Sequence, residues 1–286
     1  MIARGRALLT GAALLLLPWA ALCQPAGAGA DKVLRVCEDP NNLPFSNRAG
    51  EGFENKIAEL LAAELGWKLE YTWFPQRMGF IRNTLRGRDP DTDRFKCDLV
   101  LGVPVGFELA ATTRPYYRST YALAYVKGSG LDSVKVPEDL IKVEPAKLKS
   151  LKLGVIGQTP PVDWLLKYGL FEQAVPYQIQ SGDPDQYPGQ IVEKDLVRGT
   201  IDVAFVWGPI AGYFGRKAAG AKVAVVPFLP DPAIQFDFRI AMGVRFGERE
   251  WRDRIQQLLD AKRERIQAIL TAYGVPLLDD EGRLIK

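Results

Sequence analysis

The sequence predicts an α/β chain of two lobes, each a mostly parallel sheet flanked by helices, with a ligand cleft between them. Three observations carry that expectation. A β-α-β-α-β series occurs twice, once from Val33 and again from Leu151, and strands separated by helices make parallel sheets. Strands such as "CDLVLGV" and "IDVAFVWG" are continuous apolar runs, as expected where helices cover both faces. A length of 286 residues suits one large or two medium domains.

The chain opens with the basic start "MIARGRALL", the apolar run "ALLLLPWAAL" and the small-residue site "AGAGA". That run is too short to span a bilayer, and the pattern is that of a cleavable secretory signal over residues 1–30. Leu22 stands where lipoprotein processing wants a small residue, which disfavours an anchor through Cys23. No later stretch is apolar enough to cross a membrane, so the mature chain is expected to be soluble in an oxidising compartment and not stably inserted in a membrane.

After "VLRVC" and a polar loop, "GFENKIAELLAAELG" places Phe53, Ile57, Leu60, Leu61 and Leu65 at helical spacing, with Gly66 as the stop. "KLEYTWF" reads as a strand, "MGFIRNTL" as a short helix, "CDLVLGV" as the third strand, and "RPYYRSTYALAYVKG" as a Tyr-rich β segment. A Lys-rich polar stretch from Gly130 to Ser150 separates the two series. The second begins with the strand "LKLGVIG" and the helix "QTPPVDWLLKYG", with Thr159 as N-cap and Pro160 at the first helical position. "VPYQIQ", "VEKDLVRG" and "IDVAFVWG" follow as strand, helix and strand, then the strands "VAVVPF" and "FRIAMGVR". One long amphipathic helix is expected from about Glu250 to Tyr273, ended by Gly274 and Pro276.

Composition excludes several chemistries. The chain has no histidine, so no Ser-His or Cys-His nucleophile, histidine base or histidine metal ligand exists. No G-x-G-x-x-G, P-loop or G-x-S-x-G occurs. Without Arg4 and Arg6 the mature chain carries 35 basic and 34 acidic side chains, which argues against nucleic acid as a partner. Asp89, Asp91 and Asp93 imitate the start of a calcium loop, but Arg94 and Val100 stand where its glycine and closing glutamate belong, so a solvated loop is expected. No metal and no cofactor is expected. Cys37 and Cys97, an even pair in an oxidising compartment, suggest a disulfide, the alternative being two buried thiols. Cys37 falls late in one strand and Cys97 early in another, so parallel neighbours would have to be staggered for the sulfurs to meet.

In open α/β sheets ligands bind beyond the carboxyl ends of strands, which here points to the loops 38–45, 102–105, 157–159 and 207–209. The "EDPNNLPFS" loop is polar, and Pro40 and Pro44 stiffen it.

The order of elements resembles the bilobed type II periplasmic solute-binding proteins of family 3, through "GFENKIAELLAAELG", "KCDLVLGV", "TTRPYYRSTYALAYVKG" and "VRGTIDVAFVWGPIAGYF". More narrowly, "RVCEDPNNLPFSN", "YTWFPQRMGFIRNTL" and "PYYRSTY" resemble the subfamily found with pyrroloquinoline-quinone (PQQ) methanol dehydrogenases, the J proteins of methanol-oxidation operons. The resemblance implies a first lobe of 31–127 and 227–286 and a second of 128–226. Amino-acid binders of the family hold the ligand carboxylate with an arginine and its amine with an acid. Those positions fall at about Gly106 and Trp207, so both charges are missing, and glycine cannot replace a bidentate guanidinium.

The cleft set expected instead is Glu38, Asp39, Asn41, Phe45, Phe107, Tyr117, Arg118, Ser119, Gln158, Thr159, Trp164 and Trp207, a surface for a ring-bearing ligand or an inserted protein loop. The subfamily implies a noncatalytic periplasmic accessory of a quinoprotein methanol or alcohol dehydrogenase, assisting maturation, activation or electron transfer. Its expected partners are the enzyme, its c-type cytochrome and a small-molecule ligand. The alternatives are the receptor of an ABC importer for a small solute other than an amino acid, and a cyclohexadienyl-dehydratase-like lyase.

Overall fold

The computed structural model describes Met1 and residues 32–178, 185–218 and 222–285. The leader expected over residues 1–30 therefore lies, Met1 apart, outside the described residues. Lys32–Lys286 forms one compact unit. Among the described residues no helix is long and apolar enough to cross a membrane.

The first series gives β1 (Val33–Glu38), α1 (Phe53–Leu65), β2 (Lys68–Trp73), α2 (Phe80–Asn83) and β3 (Leu99–Pro104). β1 lies between β2 and β3, parallel to both. α1 stops where expected, because Gly66 adopts the left-handed conformation (φ 66°) that closes a helix without a Cβ penalty. β3 shows why its sequence is apolar throughout: Leu99 and Leu101 enter the main core with Phe53, Ile57 and Met242, while Val100 and Val103 face Phe80, Ile81 and Leu85 on the other side.

The long strand β4 (Tyr117–Val126) belongs to both halves of the sheet. Its residues 117–120 pair antiparallel with β9 (Asp237–Val244), and its later residues pair with β7 (Val203–Trp207) and β8 (Val223–Pro227). β5 (Leu153–Ile156) and β6 (Ala174–Tyr177) continue the second half in parallel with β7. Alternation sorts the side chains. Leu123, Tyr125, Val203 and Phe205 fill a core with Trp164, Phe228 and Phe236, whereas Ala122, Ala124, Ala204 and Val206 offer a low face to Ile210, Tyr213 and Phe214 of α5 (Gly208–Lys217).

Several sequence expectations need correction. The stretch 130–150 is not a bare linker, since a 3₁₀ turn (Pro137–Lys142) and α3 (Pro145–Ser150) form in it, the latter capped by the Glu144 carboxylate. Pro160 opens α4 (Pro160–Lys167), but the Thr159 hydroxyl donates back to the Ile156 carbonyl (2.6 Å) and caps nothing. "VEKDLVRG" winds as a π-type turn over Ile191–Leu196, and the end of "VPYQIQ" lies outside the described residues. The single C-terminal helix is two, α6 (Arg249–Ala261) and α7 (Arg263–Ala272), broken at Lys262. The apolar stripe runs through the break, with Ile255 and Leu259 before it and Ile266 and Leu270 after. Neither Gly nor Pro marks it, and at that point the Lys262 ammonium meets Glu64 of α1 at 2.8 Å. α5 was not anticipated at all, since Gly208, Gly212 and Gly215 lower its helix propensity.

The cysteines are joined, with a Cα–Cα distance of 5.5 Å. Stagger is avoided because β3 begins only at Leu99. Cys97 precedes it in a segment that turns back under β1: Thr72, the register partner of Cys37, donates its hydroxyl to the Lys96 carbonyl.

Candidate functional site

A cavity of about 520 Å³ opens between the two halves. Asp39, Asn41, Asn42 and Phe45 line it from the loop after β1, and Pro75, Gln76 and Arg77 from the loop after β2. The facing wall is Ile156, Tyr177, Gln178, Tyr187, Gln190 and Asp195. The two loops of the first half are fastened together. Asp39 accepts from the Gln76 backbone through Oδ2 (2.5 Å) and from the Asn41 backbone through Oδ1 (2.8 Å), and Asn42 Nδ2 donates to Gln76 Oε1 (2.8 Å). The opening loop is thus a preset wall. Opposite, Tyr177 donates to Asp195 at 2.8 Å, and burial together with that carboxylate holds the phenol proton well above its ordinary range.

The rear of this loop reaches across the molecule. Leu43 and Phe45 pack against the second-half core around Ile210 and Phe214, and Phe45 meets Phe53 edge-on with ring centroids 5.3 Å apart. On another side α5 abuts the end of α7: Tyr213 stacks on Tyr273 at 5.6 Å, and Arg216 donates to the Thr271 and Ala272 carbonyls. Glycine makes this approach possible, because a Cβ at Gly212 would stand 1.9 Å from the Gly274 carbonyl oxygen. Within the first half the C-terminal segment closes back on β4. Ser119 Oγ donates to the Pro276 carbonyl (2.8 Å), and Leu278 donates its backbone N–H to the Arg118 carbonyl (2.9 Å).

Of the twelve residues expected in the cleft, Asp39, Asn41 and Phe45 line the cavity. Glu38 lies beneath it, 3% exposed, against Glu54 of α1. Burial first, and then the neighbouring Glu54 charge, push the Glu38 carboxyl well up, and burial raises Glu54 to about 8. The pair therefore holds a proton at neutral pH. A Cβ at Gly102 would stand 2.2 Å from Glu54 Oε1, so glycine there makes room for the pair.

The other expected residues sit elsewhere. Trp164 is 1% exposed in the second core, since α4 turns its apolar face inward. Tyr117 and Ser119 are buried, and Thr159 is occupied by Ile156. Phe107 packs beside the disulfide, Gln158 is exposed away from the cavity, and Trp207 lies edge-on to Tyr121 and Phe238 between the cores. Arg118 is committed internally: Nε donates to Asp237 Oδ2 (2.6 Å) and Nη1 to the carbonyls of Asp279 (3.2 Å) and Asp280 (2.9 Å). It borders a separate cavity of about 230 Å³. Asp89 is likewise engaged by the backbone of Asp91 and Thr92, as an ordinary loop turn.

The cavity wall is rich in carboxamides and prolines, which sequence reasoning passed over because neither residue type advertises chemistry. The only sequence signal for Gln76 and Arg77 was their place after the second strand.

These features define the class: a type II periplasmic-binding-protein fold, with two sheet halves sharing crossover strands and a cleft between them. The chain is 30% identical over 271 residues to protein MoxJ of Paracoccus denitrificans, a match covering 90% of this chain and 93% of the relative. It superposes on the crystal structure of periplasmic binding protein XoxJ from Methylobacterium extorquens AM1 with a TM-score of 0.68 at 38% identity, covering 86% of this chain and all of that one. For MxaJ from Methlophaga aminisulfidivorans MPT the TM-score is 0.69 at 27% identity, with the same coverage. No family model matches the chain. It belongs to the family of MoxJ, XoxJ and MxaJ periplasmic binding proteins.

Proposed function

We propose that the protein is a noncatalytic periplasmic accessory of a PQQ-dependent methanol or alcohol dehydrogenase, assisting its maturation, activation or electron transfer. One observation carries the reading. The cleft of a solute-capturing protein is present, but the positions that the resemblance assigns to the capture charges fall at about Gly106 and Trp207, and two ties hold the two halves together. A receptor that closes on a solute needs halves that move relative to one another. The opening loop and the α5–α7 contact both oppose such motion. What remains is a preset, amide-lined recess beside a rigid rim, suited to holding part of another protein.

The importer reading is tested by thermal unfolding in the presence of the common amino acids and of small aromatic solutes. A ligand of the native state at a hundred times its dissociation constant adds about 2.7 kcal/mol. We expect no shift with any amino acid. A clear shift with one would return the protein to solute capture.

A further inference from the structure

The segment from Phe74 to Arg88 carries Arg77, Arg82, Arg86 and Arg88 and no Asp or Glu. Arg88 is used within the fold, paired with Asp93 at 3.1 Å and lying over Phe95. Arg82 in α2 and Arg86 in the turn that follows it are exposed, and among the described residues neither forms an ion pair. In the adjoining loops Asp39 accepts from the Asn41 and Gln76 backbone and Asp89 from Thr92. Beside the arginines Met78 is 90% exposed, more than any other large apolar side chain among the described residues from Lys32 onward.

This surface is firmly mounted. Phe80, Ile81 and Leu85 pack on the Cys37–Cys97 disulfide, and Pro75, Gln76 and Arg77 join the segment to the cleft wall. A fixed cationic surface with an apolar tip costs little ordering on binding, and Arg and Met are enriched where proteins meet. We propose that residues 75–88 form a docking platform for an acidic protein surface, with Met78 entering an apolar recess of the partner and Arg82 and Arg86 meeting its carboxylates. The proposal rests on the accessory reading and places its contact on the rim of the first half. An anionic membrane is the less suitable surface, because stable lipid attachment through charge takes a cluster of about four to eight cations.

The test uses Arg82→Glu/Arg86→Glu and, separately, Met78→Asp. All three positions are exposed, and unchanged melting temperatures confirm intact folding. Binding is measured against the purified methanol dehydrogenase, against its c-type cytochrome, and against vesicles of anionic phospholipid, each at low and high salt. We expect the parent to bind the dehydrogenase with an affinity that falls with salt, and each variant to bind it about tenfold or more weakly, whereas binding to the cytochrome alone would overturn the platform. Equal binding by parent and variants would overturn the platform while leaving the accessory reading intact. Binding to vesicles alone would overturn protein docking. Failure of the parent to bind either protein would remove both the accessory reading and the platform built on it.

Discussion

Glu54 occupies the second position of α1 and lies 5% exposed against Glu38, so two carboxyls share a dry site whose charged neighbour among the described residues is another carboxylate, Asp39. Its pKa is raised from an ordinary 4.5 to about 8. Between those values the folded protein binds more protons than the unfolded chain. This contribution to stability is therefore complete below about 4.5 and lost as pH rises through about 8. We expect the melting temperature to fall between about pH 5 and pH 8, and Glu54→Gln to flatten that fall and be the more stable form at the upper end. Parallel pH profiles for parent and variant would contradict it. Arg118 gives a second residue-scale prediction. Its side chain is 16% exposed and that of Asp237 14%, and removing one partner of a buried pair costs about 3–5 kcal/mol. Arg118→Ala should therefore lower stability in urea by roughly 3 kcal/mol, with Asp237→Asn recovering part of the loss; a change under about 0.5 kcal/mol would show the pair to be solvated. Neither role was legible beforehand. A sequence shows that Arg118 is charged, not that Asp237, 119 positions away, stands beside it.

Among the elements, those with a strong period are legible in the sequence, α1 and the six strands of the two series foremost. The misses share a cause, because each depends on contacts distant in sequence. The break between α6 and α7 coincides with an ion pair to α1. α5 forms despite three glycines because those glycines let it approach the crossover strand and the end of α7; a Cβ at Gly208 would lie 2.2 Å from the Thr120 carbonyl oxygen. In the cleft, the loop after β1 was found from strand order, whereas its partner loop at 75–77 was missed because only hydrogen bonds across 37 residues bring them together. The disulfide acts at the same scale. It closes a separation of 60 residues, for which the chain-entropy account gives about 4 kcal/mol. Cys37→Ser/Cys97→Ser should lose roughly that much stability, and the segment 75–88, mounted on the bridge, should become more open to protease than α1. Equal protection of the two segments would show that the mount does not depend on the bridge.

At the scale of the whole molecule, a fold used elsewhere to close on solutes is here tied across its halves at two places, by the opening loop and by the α5–α7 contact, with a cleft wall of amides and prolines and arginines on the rim beside it. Family membership and architecture fit one another: the chain aligns over most of its length with MoxJ, XoxJ and MxaJ. A tied cleft favours a standing association with another protein over cycles of capture and release. Sedimentation velocity of the purified protein mixed with the PQQ-dependent methanol dehydrogenase of the same cells tests this most directly. We expect a boundary that sediments faster than either component and carries both. Two independent boundaries at micromolar concentrations, unchanged when the c-type cytochrome is added, would contradict the association on which the proposed function rests.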